Sequence, residues 1–476
     1  MNAFELEPSA GPPRTGRVLR ITLVCFAVSM IDGFDTLMLS FVAPLLAKSL
    51  QIDHASLGRV FGAGFVGTVL GSLIVGPLAD RFGRRPMLLL ALAVTGVFTL
   101  ACAFATSAET LALLRFIGGL GMGGAIPPVA AITAESSSPQ RRSSLVILMF
   151  IGFPLGAVVG GAITAALMTR FGWPLVFVMG GASALVALVP VLLVIPRRSV
   201  VRAGWLAPSQ RDAGVGYGAG DGAGDGVAKT AATATTATTA TTATALVPPA
   251  GLAGKLFGNL FSNGRLAATL ALWFGVLSSM ILSGFLVSFM PTILNLNGVA
   301  PARAALGAVV LNIGAIVGAL VISMLVGKRG PFVPVTIAFL CGGVLTFALG
   351  QIIGAGNLAF GMLFAVGACL VGGQLTIPAI ASRLFPADVR AAGIGWAMAI
   401  GRTGSIIGPL VGGILLARHL PFDTLFMTAA LLAAGGALGI GLANLWRPRD
   451  DGEPAVASAS FAITGSELGE LGNGKH

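Results

Sequence analysis

Charged side chains are scarce in this chain: Asp, Glu, Lys and Arg make up 10% of its 476 residues, against roughly 25% in soluble domains. That excludes an ordinary globular protein, and a mean hydropathy of +0.92 points the same way. Histidine and cysteine are rare too, at 3 and 4 residues. Cys25, Cys102, Cys341 and Cys369 all fall inside apolar runs without paired spacing. Neither a disulfide framework nor a metal site has ligands to rest on; no metal and no cofactor is expected, and no enzymatic chemistry. The first residues lack a short apolar core followed by a small-residue cleavage site, so the first apolar run is expected to remain as a helix rather than leave as a signal peptide. The net charge of +11 raises the question of nucleic acid. Its basic residues sit between apolar runs rather than clustered on a soluble face, which argues against that partner.

What the chain has in abundance is apolar runs of about 20 residues, each long enough to cross a hydrocarbon core of ~30 Å as a helix. They are predicted near 18–47, 56–79, 86–106, 109–134, 143–168 and 172–195, and again near 266–294, 302–327, 332–354, 357–382, 390–417 and 422–445. The fold class is therefore all-α integral membrane, twelve transmembrane helices as two six-helix bundles, with the lipid bilayer as its surroundings. The 68 glycines suit such bundles, because small residues let backbones approach closely where lipid gives no hydrophobic drive for association. Lys and Arg fix the orientation, since they are retained on the cytoplasmic side of short loops. With both termini inside, 22 of the 29 basic residues fall in cytoplasmic segments, and only Lys48, Arg170, Arg303 and Arg418 in outer loops.

The expected domains are a cytoplasmic tail (1–17), an N-terminal bundle (18–195), a linker (196–265), a C-terminal bundle (266–445) and a second cytoplasmic tail (446–476). The linker carries GAGDGAGDG and an Ala/Thr repeat over 231–245. So little apolar area cannot offset ordering entropy, and a disordered cytoplasmic segment is predicted. The halves repeat each other. Gly67, Gly71, Asp80-Arg81 and Gly83 match Gly314, Gly318, Gly327-Lys328 and Gly330 at an offset of 247, and GFPLGAVVGG (152–161) matches GSIIGPLVGG (404–413) at 252. Parallel halves imply a pseudo-twofold axis along the membrane normal, with a binding site between them near mid-depth.

Four groups of residues carry chemistry. Gly76-Pro77-Leu78-Ala79-Asp80-Arg81-Phe82-Gly83-Arg84-Arg85 lies between the second and third spans on the cytoplasmic side. Gly83 permits a tight turn, and Asp80 can pair with Arg81, Arg84 or Arg85 in a cytoplasmic latch. A merely topogenic loop explains the arginines but not the Asp. Glu135, just before Arg141 and Arg142, can join that latch or simply end a solvated helix. Asp32 and Asp35 lie well inside the first span, at i, i+3 and so facing the same way. A charge there costs roughly 2.5–3.5 kcal/mol on insertion scales, and two close carboxylates do not both ionise easily, which is the physics of a reversible proton site. Capping of a helix break at Gly33 is the competing reading. Arg115 in the fourth span matches Asp32 in depth and is its natural counter-ion. Arg402 lies near mid-depth of the eleventh, where a substrate carboxylate would supply bidentate hydrogen bonds; a structural ion pair competes for both arginines. Phe34, Phe153, Phe289 and Trp396 offer flat surfaces to an aromatic ligand, and Gln374 and Asn312 offer hydrogen bonds to a ring hydroxyl or to neighbouring helices.

Together, Asp32-Gly33-Phe34-Asp35, the 76–85 loop, Arg115-Phe-Ile-Gly-Gly-Leu-Gly-Met-Gly-Gly-Ala (115–125), Gly-Phe-Pro-Leu-Gly-Ala (152–157), Gly-Gly-Gln (372–374) and the run 385–409 resemble the aromatic acid:proton symporters of the major facilitator superfamily. The resemblance spans both halves. It implies the major facilitator fold, a monomer in a bacterial inner membrane, and uptake of benzoate-like or hydroxybenzoate-like anions with protons. It assigns proton coupling to Asp32 and Asp35 and transport roles to Arg115, Arg390 and Arg402. Two departures stand out: Gly327-Lys328-Arg329 replaces the usual acidic residue of the second loop, and Phe289 stands where Trp is frequent. Proton-driven drug efflux, uptake of another organic anion or a sugar, and a sensor without flux are the rival functions. Against efflux, Gly156 is followed by Ala157 rather than Pro, and the Gly-Pro pair of the chain's eleventh span is Gly408-Pro409.

Overall fold

The computed structural model describes residues 15–137, 142–196, 261, 264–385 and 389–447. The linker and both tails expected from composition lie, apart from their edges, outside the described residues, as does Arg141. Twelve membrane-length helices are present among the described residues. They are α1 (Thr15–Leu50), α2 (His54–Phe82), α3 (Arg84–Cys102), α4 (Ala108–Ser136), α5 (Arg142–Phe171) and α6 (Pro174–Val194), then α7 (Leu266–Leu296), α8 (Pro301–Arg329), α9 (Phe332–Ile352), α10 (Asn357–Leu384), α11 (Arg390–Ala417) and α12 (Phe422–Trp446). α10 is not continuous: a π turn over Gly367–Val371 and a turn at Leu375–Thr376 interrupt it. Such interruptions free backbone groups and concentrate at functional positions.

The packing shows why glycine recurs at fixed offsets. Gly67 and Gly71 of α2 lie against the backbone of Phe116 and Leu120 on α4, and Gly314 and Gly318 of α8 lie against Phe364 and Ala368 on α10. Gly152 and Gly156 of α5 meet the carbonyls of Phe26 and Met30 on α1; Gly404 and Gly408 of α11 meet those of Leu277 and Ile281 on α7. The same backbone-to-backbone contacts are built twice, so the halves are structural repeats and not merely similar in hydropathy. Replacing Gly71 by Val puts side-chain atoms into the Leu120 carbonyl, which is backbone and cannot rotate away. Overpacking of this kind costs roughly 1–3 kcal/mol. Gly71→Val is expected to lower the unfolding temperature and the monodisperse fraction in detergent, while Gly361→Ala on α10, with open space around it, leaves both unchanged.

The two bundles join tightly in the half of the molecule remote from α1's start and α12's end. There Gly58 of α2 abuts the Pro409 carbonyl and Gly413 of α11, Gly161 of α5 meets Val309 of α8, and Phe61 and Phe289 stack edge-on at 5.5 Å. Ser40 of α1 donates to the Val287 carbonyl of α7 at 2.7 Å. On the other half Trp396 of α11 is 41% exposed. The seam is thus closed on the face remote from the terminal ends of α1 and α12.

Candidate functional site

The two aspartates of α1 part company. Asp35, 3% exposed, turns into the N-terminal bundle. Arg115 of α4 donates through Nη1 to both carboxylate oxygens at 3.3 and 3.2 Å and through Nη2 to the Asp35 carbonyl at 3.0 Å. Thr99 of α3 donates Oγ1 to Asp35 Oδ1 at 2.8 Å. Arg115 therefore pairs with Asp35, not with Asp32 as depth alone suggested: one residue of a 3.6-residue helix turns a side chain by about 100°, so i and i+3 diverge by about 60°. That is enough to send one carboxylate inward and the other toward the centre. Arg115 Nε has no hydrogen-bond partner. It borders a cavity of about 20 Å³ lined by Asp35, Thr36, Phe61, Gly64 and Thr68 among others, room for about one water, the usual way such a group is satisfied.

Asp32, 6% exposed, faces the opposite bundle. Its charge interacts with that of Arg402 on α11 and with Asp35, and the Thr36 side chain stands beside it. Arg402 is half-buried. Two opposite charges thus lie on either side of the seam between bundles, where their interaction depends on how the bundles stand. Gln374, just beyond the π turn of α10, donates Nε2 to the Ser279 carbonyl of α7 at 2.5 Å, while Asn312 bonds its own helix at Ala308.

The remaining predicted residues are spread along both bundles. The Phe34 ring is seated against Gly160 of α5. Phe289 is fully buried in the closed seam. Trp396 lies 6.1 Å from Trp273, which in turn meets Phe261 at 5.5 Å. This group sits about two turns from the start of α7 and α11, nearer the terminal face than Arg402. In the loop motif, Gly83 closes α2 with φ +98, a conformation open to glycine, and returns its N–H to Ala79. Arg84 forms an ion pair with Glu135 of α4; Arg85 Nη2 donates to the Leu192 carbonyl of α6 at 2.6 Å; Arg81 stacks on Phe82. These ties stay within one bundle. Gly76 and Asp80 belong to α2 and Arg142 opens α5. Arg390 donates to the Phe385 carbonyl at 3.3 Å, tying the start of α11 to the end of α10.

The repeat isolates what is special about the charged site. The glycine contacts align α1 with α7 at an offset of 251 and α4 with α10 at 248. Asp32-Gly33-Phe34-Asp35 then corresponds to Ser283-Gly284-Phe285-Leu286, and Arg115 to Leu363. Leu286 and Leu363 are both fully buried. The second half carries buried leucines at these positions, so that repeat is built without the ion pair, and buried charges seldom owe their presence to stability alone.

Two six-helix repeats around a seam that carries opposed charges define a membrane transporter of the major facilitator class. The profile of the Major Facilitator Superfamily matches residues 25–402, and the chain belongs to that family; it is a multi-pass membrane protein and not an enzyme. It is similar to the 4-hydroxybenzoate transporter PcaK of Pseudomonas aeruginosa, with 32% identity over 91% of this chain and 94% of the relative. It is likewise similar to the gallate transporter of Pseudomonas putida, with 34% identity over 89% and 91%. Among solved structures it resembles a D-xylose-proton symporter in fold, with a TM-score of 0.66 and 16% identity, covering 89% of this chain and 97% of that one.

Proposed function

We propose that this protein is a monomeric symporter of the bacterial inner membrane that takes up an aromatic carboxylate, of the benzoate or hydroxybenzoate kind, together with protons by alternating access. The observation that carries the reading is that Asp32 of α1 and Arg402 of α11 stand on opposite sides of the seam, near enough for their charges to interact. A carboxylate substrate on Arg402 competes with Asp32 for the guanidinium, and a proton on Asp32 releases it, so substrate and proton favour the same neutral arrangement. The names of the relatives support an aromatic ligand. Gln374, Phe34 and Trp396 are the candidates for ring contacts, Gln374 through its amide near the break in α10.

With both termini cytoplasmic, as the distribution of Lys and Arg favours, the closed seam is the outer one and the molecule is inward-facing. The ties of Arg84 with Glu135 and of Arg85 with α6 then brace the N-terminal bundle while its cytoplasmic mouth is open. On closure the loop residues Gly76 to Arg85, Glu135, Arg141, Arg142 and Arg390 form the inner gate. The linker 196–265 joins two bundles that rock against each other, and its low complexity suits a tether.

The test is uptake of labelled 4-hydroxybenzoate into proteoliposomes with an acidic exterior, taken as initial rates above protein-free liposomes because the neutral acid crosses lipid unaided. Competition by gallate and 3-hydroxyphenylpropionate, none by D-xylose, and loss of the rate with a protonophore are expected. Equal competition by the sugar, or a rate indifferent to the protonophore, removes the reading.

A further inference from the structure

A third helix completes the charged site. α3 lies outside the central seam, yet Thr99, 1% exposed, reaches Asp35 from it. A threonine in a helix commonly satisfies its hydroxyl on the carbonyl four residues back. Thr22, Thr68, Thr95, Thr133 and Thr346 all do so here. Thr99 instead donates across to a carboxylate. The repeat supplies its natural control. Gly83 and Gly330 cap α2 and α8 alike, each returning its N–H to the carbonyl four residues back, and sixteen residues beyond each cap stand Thr99 and Thr346. Gly96 and Gly343, at the same offset, pack against α6 and α12. Thr346 bonds its own helix at Gly342, 2.7 Å away, in the half where Leu286 occupies the place of Asp35. The same threonine changes its acceptor where the carboxylate is present.

We propose that Thr99 is a positioning residue whose hydroxyl fixes the Asp35 carboxylate in its ionised form against Arg115, leaving Asp32 as the carboxyl that exchanges protons with the seam. The effect on Asp35 follows from the hydrogen bond itself; only its consequence for transport rests on the symport reading. A hydroxyl that must donate favours an ionised acceptor, and its loss makes protonation easier. The charged and titratable groups facing Asp35 are Asp32 on α1, Arg115 on α4 and Cys102, one turn on from Thr99 on α3; α2 contributes Gly64 and Thr68, which carry no charge. A Cβ on Gly180 of α6 would meet the Thr99 methyl at 3.3 Å, so the methyl faces that helix, and valine keeps it while deleting the donor.

The experiment is an infrared pH titration of carboxyl bands in lipid nanodiscs without substrate, comparing wild type, Thr99→Val, Thr99→Ser and Thr346→Val. Thr99→Val is expected to raise the midpoint of one carboxyl band by about one to two pH units, the worth of a hydrogen bond to a charged group. Adding Asp35→Asn removes that band, Thr99→Ser restores the wild-type midpoint, and Thr346→Val leaves it in place. Coincident midpoints in wild type and Thr99→Val, or a shifted band that survives Asp35→Asn, overturn the proposal; should the valine variant not fold, Thr99→Ala carries the same comparison. In proteoliposomes the acid limb of the uptake profile moves upward by the same interval. Failure of wild type to take up aromatic acids counts against the symport reading alone, since the infrared midpoint still decides the role of Thr99.

Discussion

Asp32→Asn is expected to abolish gradient-driven accumulation while sparing exchange of labelled for unlabelled substrate across the membrane. Asparagine mimics the protonated carboxyl in shape and charge but cannot release a proton. The variant is therefore held in the state that no longer competes for Arg402. A gradient of one pH unit is worth about 1.4 kcal/mol per proton, or about a tenfold concentration ratio for each proton carried. That ratio is expected to fall to about one in Asp32→Asn after correction for passive entry of the neutral acid. Exchange needs only the loaded carrier to reorient, so its rate stays within a few fold of wild type. Full accumulation by this variant would dismiss Asp32 as the coupling residue. Loss of exchange along with accumulation would mean that Asp32 serves binding or folding instead.

Much of this was legible before any coordinates. Twelve runs of membrane length, two sets of glycines at fixed offsets and the charges of Asp32, Asp35, Arg115 and Arg402 deep inside spans give the class and the depth of the site, because hydropathy and insertion cost are properties of composition along one axis. Rotation about each helix was not legible. Asp32 and Asp35 read as one pair facing one partner; instead a divergence of about 60° gives Arg115 to Asp35 and leaves Asp32 toward the seam, within range of the Arg402 charge. Trp396 matches the requirement for a flat ring, but its neighbours Trp273 and Phe261 were not legible, since an aromatic residue tells nothing of its azimuth. Thr99 went unnoticed because a helical threonine usually serves its own backbone. Its position sixteen residues after a capping glycine, at the depth of Asp35, was the available signal. The π turn before Gln374 had only the Gly-rich stretch 367–373 to announce it.

The repeat itself allows a sharper separation of folding from function. Arg115→Leu alone leaves the Asp35 carboxyl and the Thr99 hydroxyl in a bundle interior without their cationic neighbour. Removing one partner of a buried pair is destabilising by roughly 3–5 kcal/mol, so a steep loss of folded protein in detergent is expected. Asp35→Leu together with Arg115→Leu gives the first half the side chains that the second carries, fully buried, at the corresponding Leu286 and Leu363. Thr99 then has the carbonyl of Thr95 within its own helix, as Thr346 has that of Gly342. The double variant is expected to recover the unfolding temperature to near wild type, because exchange of a buried ion pair for packed apolar residues is often neutral or stabilising. It is nonetheless expected to transport nothing, having lost the charge that sets Asp35 apart from Asp32. Unfolding temperature and initial uptake rate, measured on the same preparations, separate the two effects. A double variant as unstable as Arg115→Leu makes the ion pair an architectural necessity, and one that still accumulates substrate strips it of any part in transport.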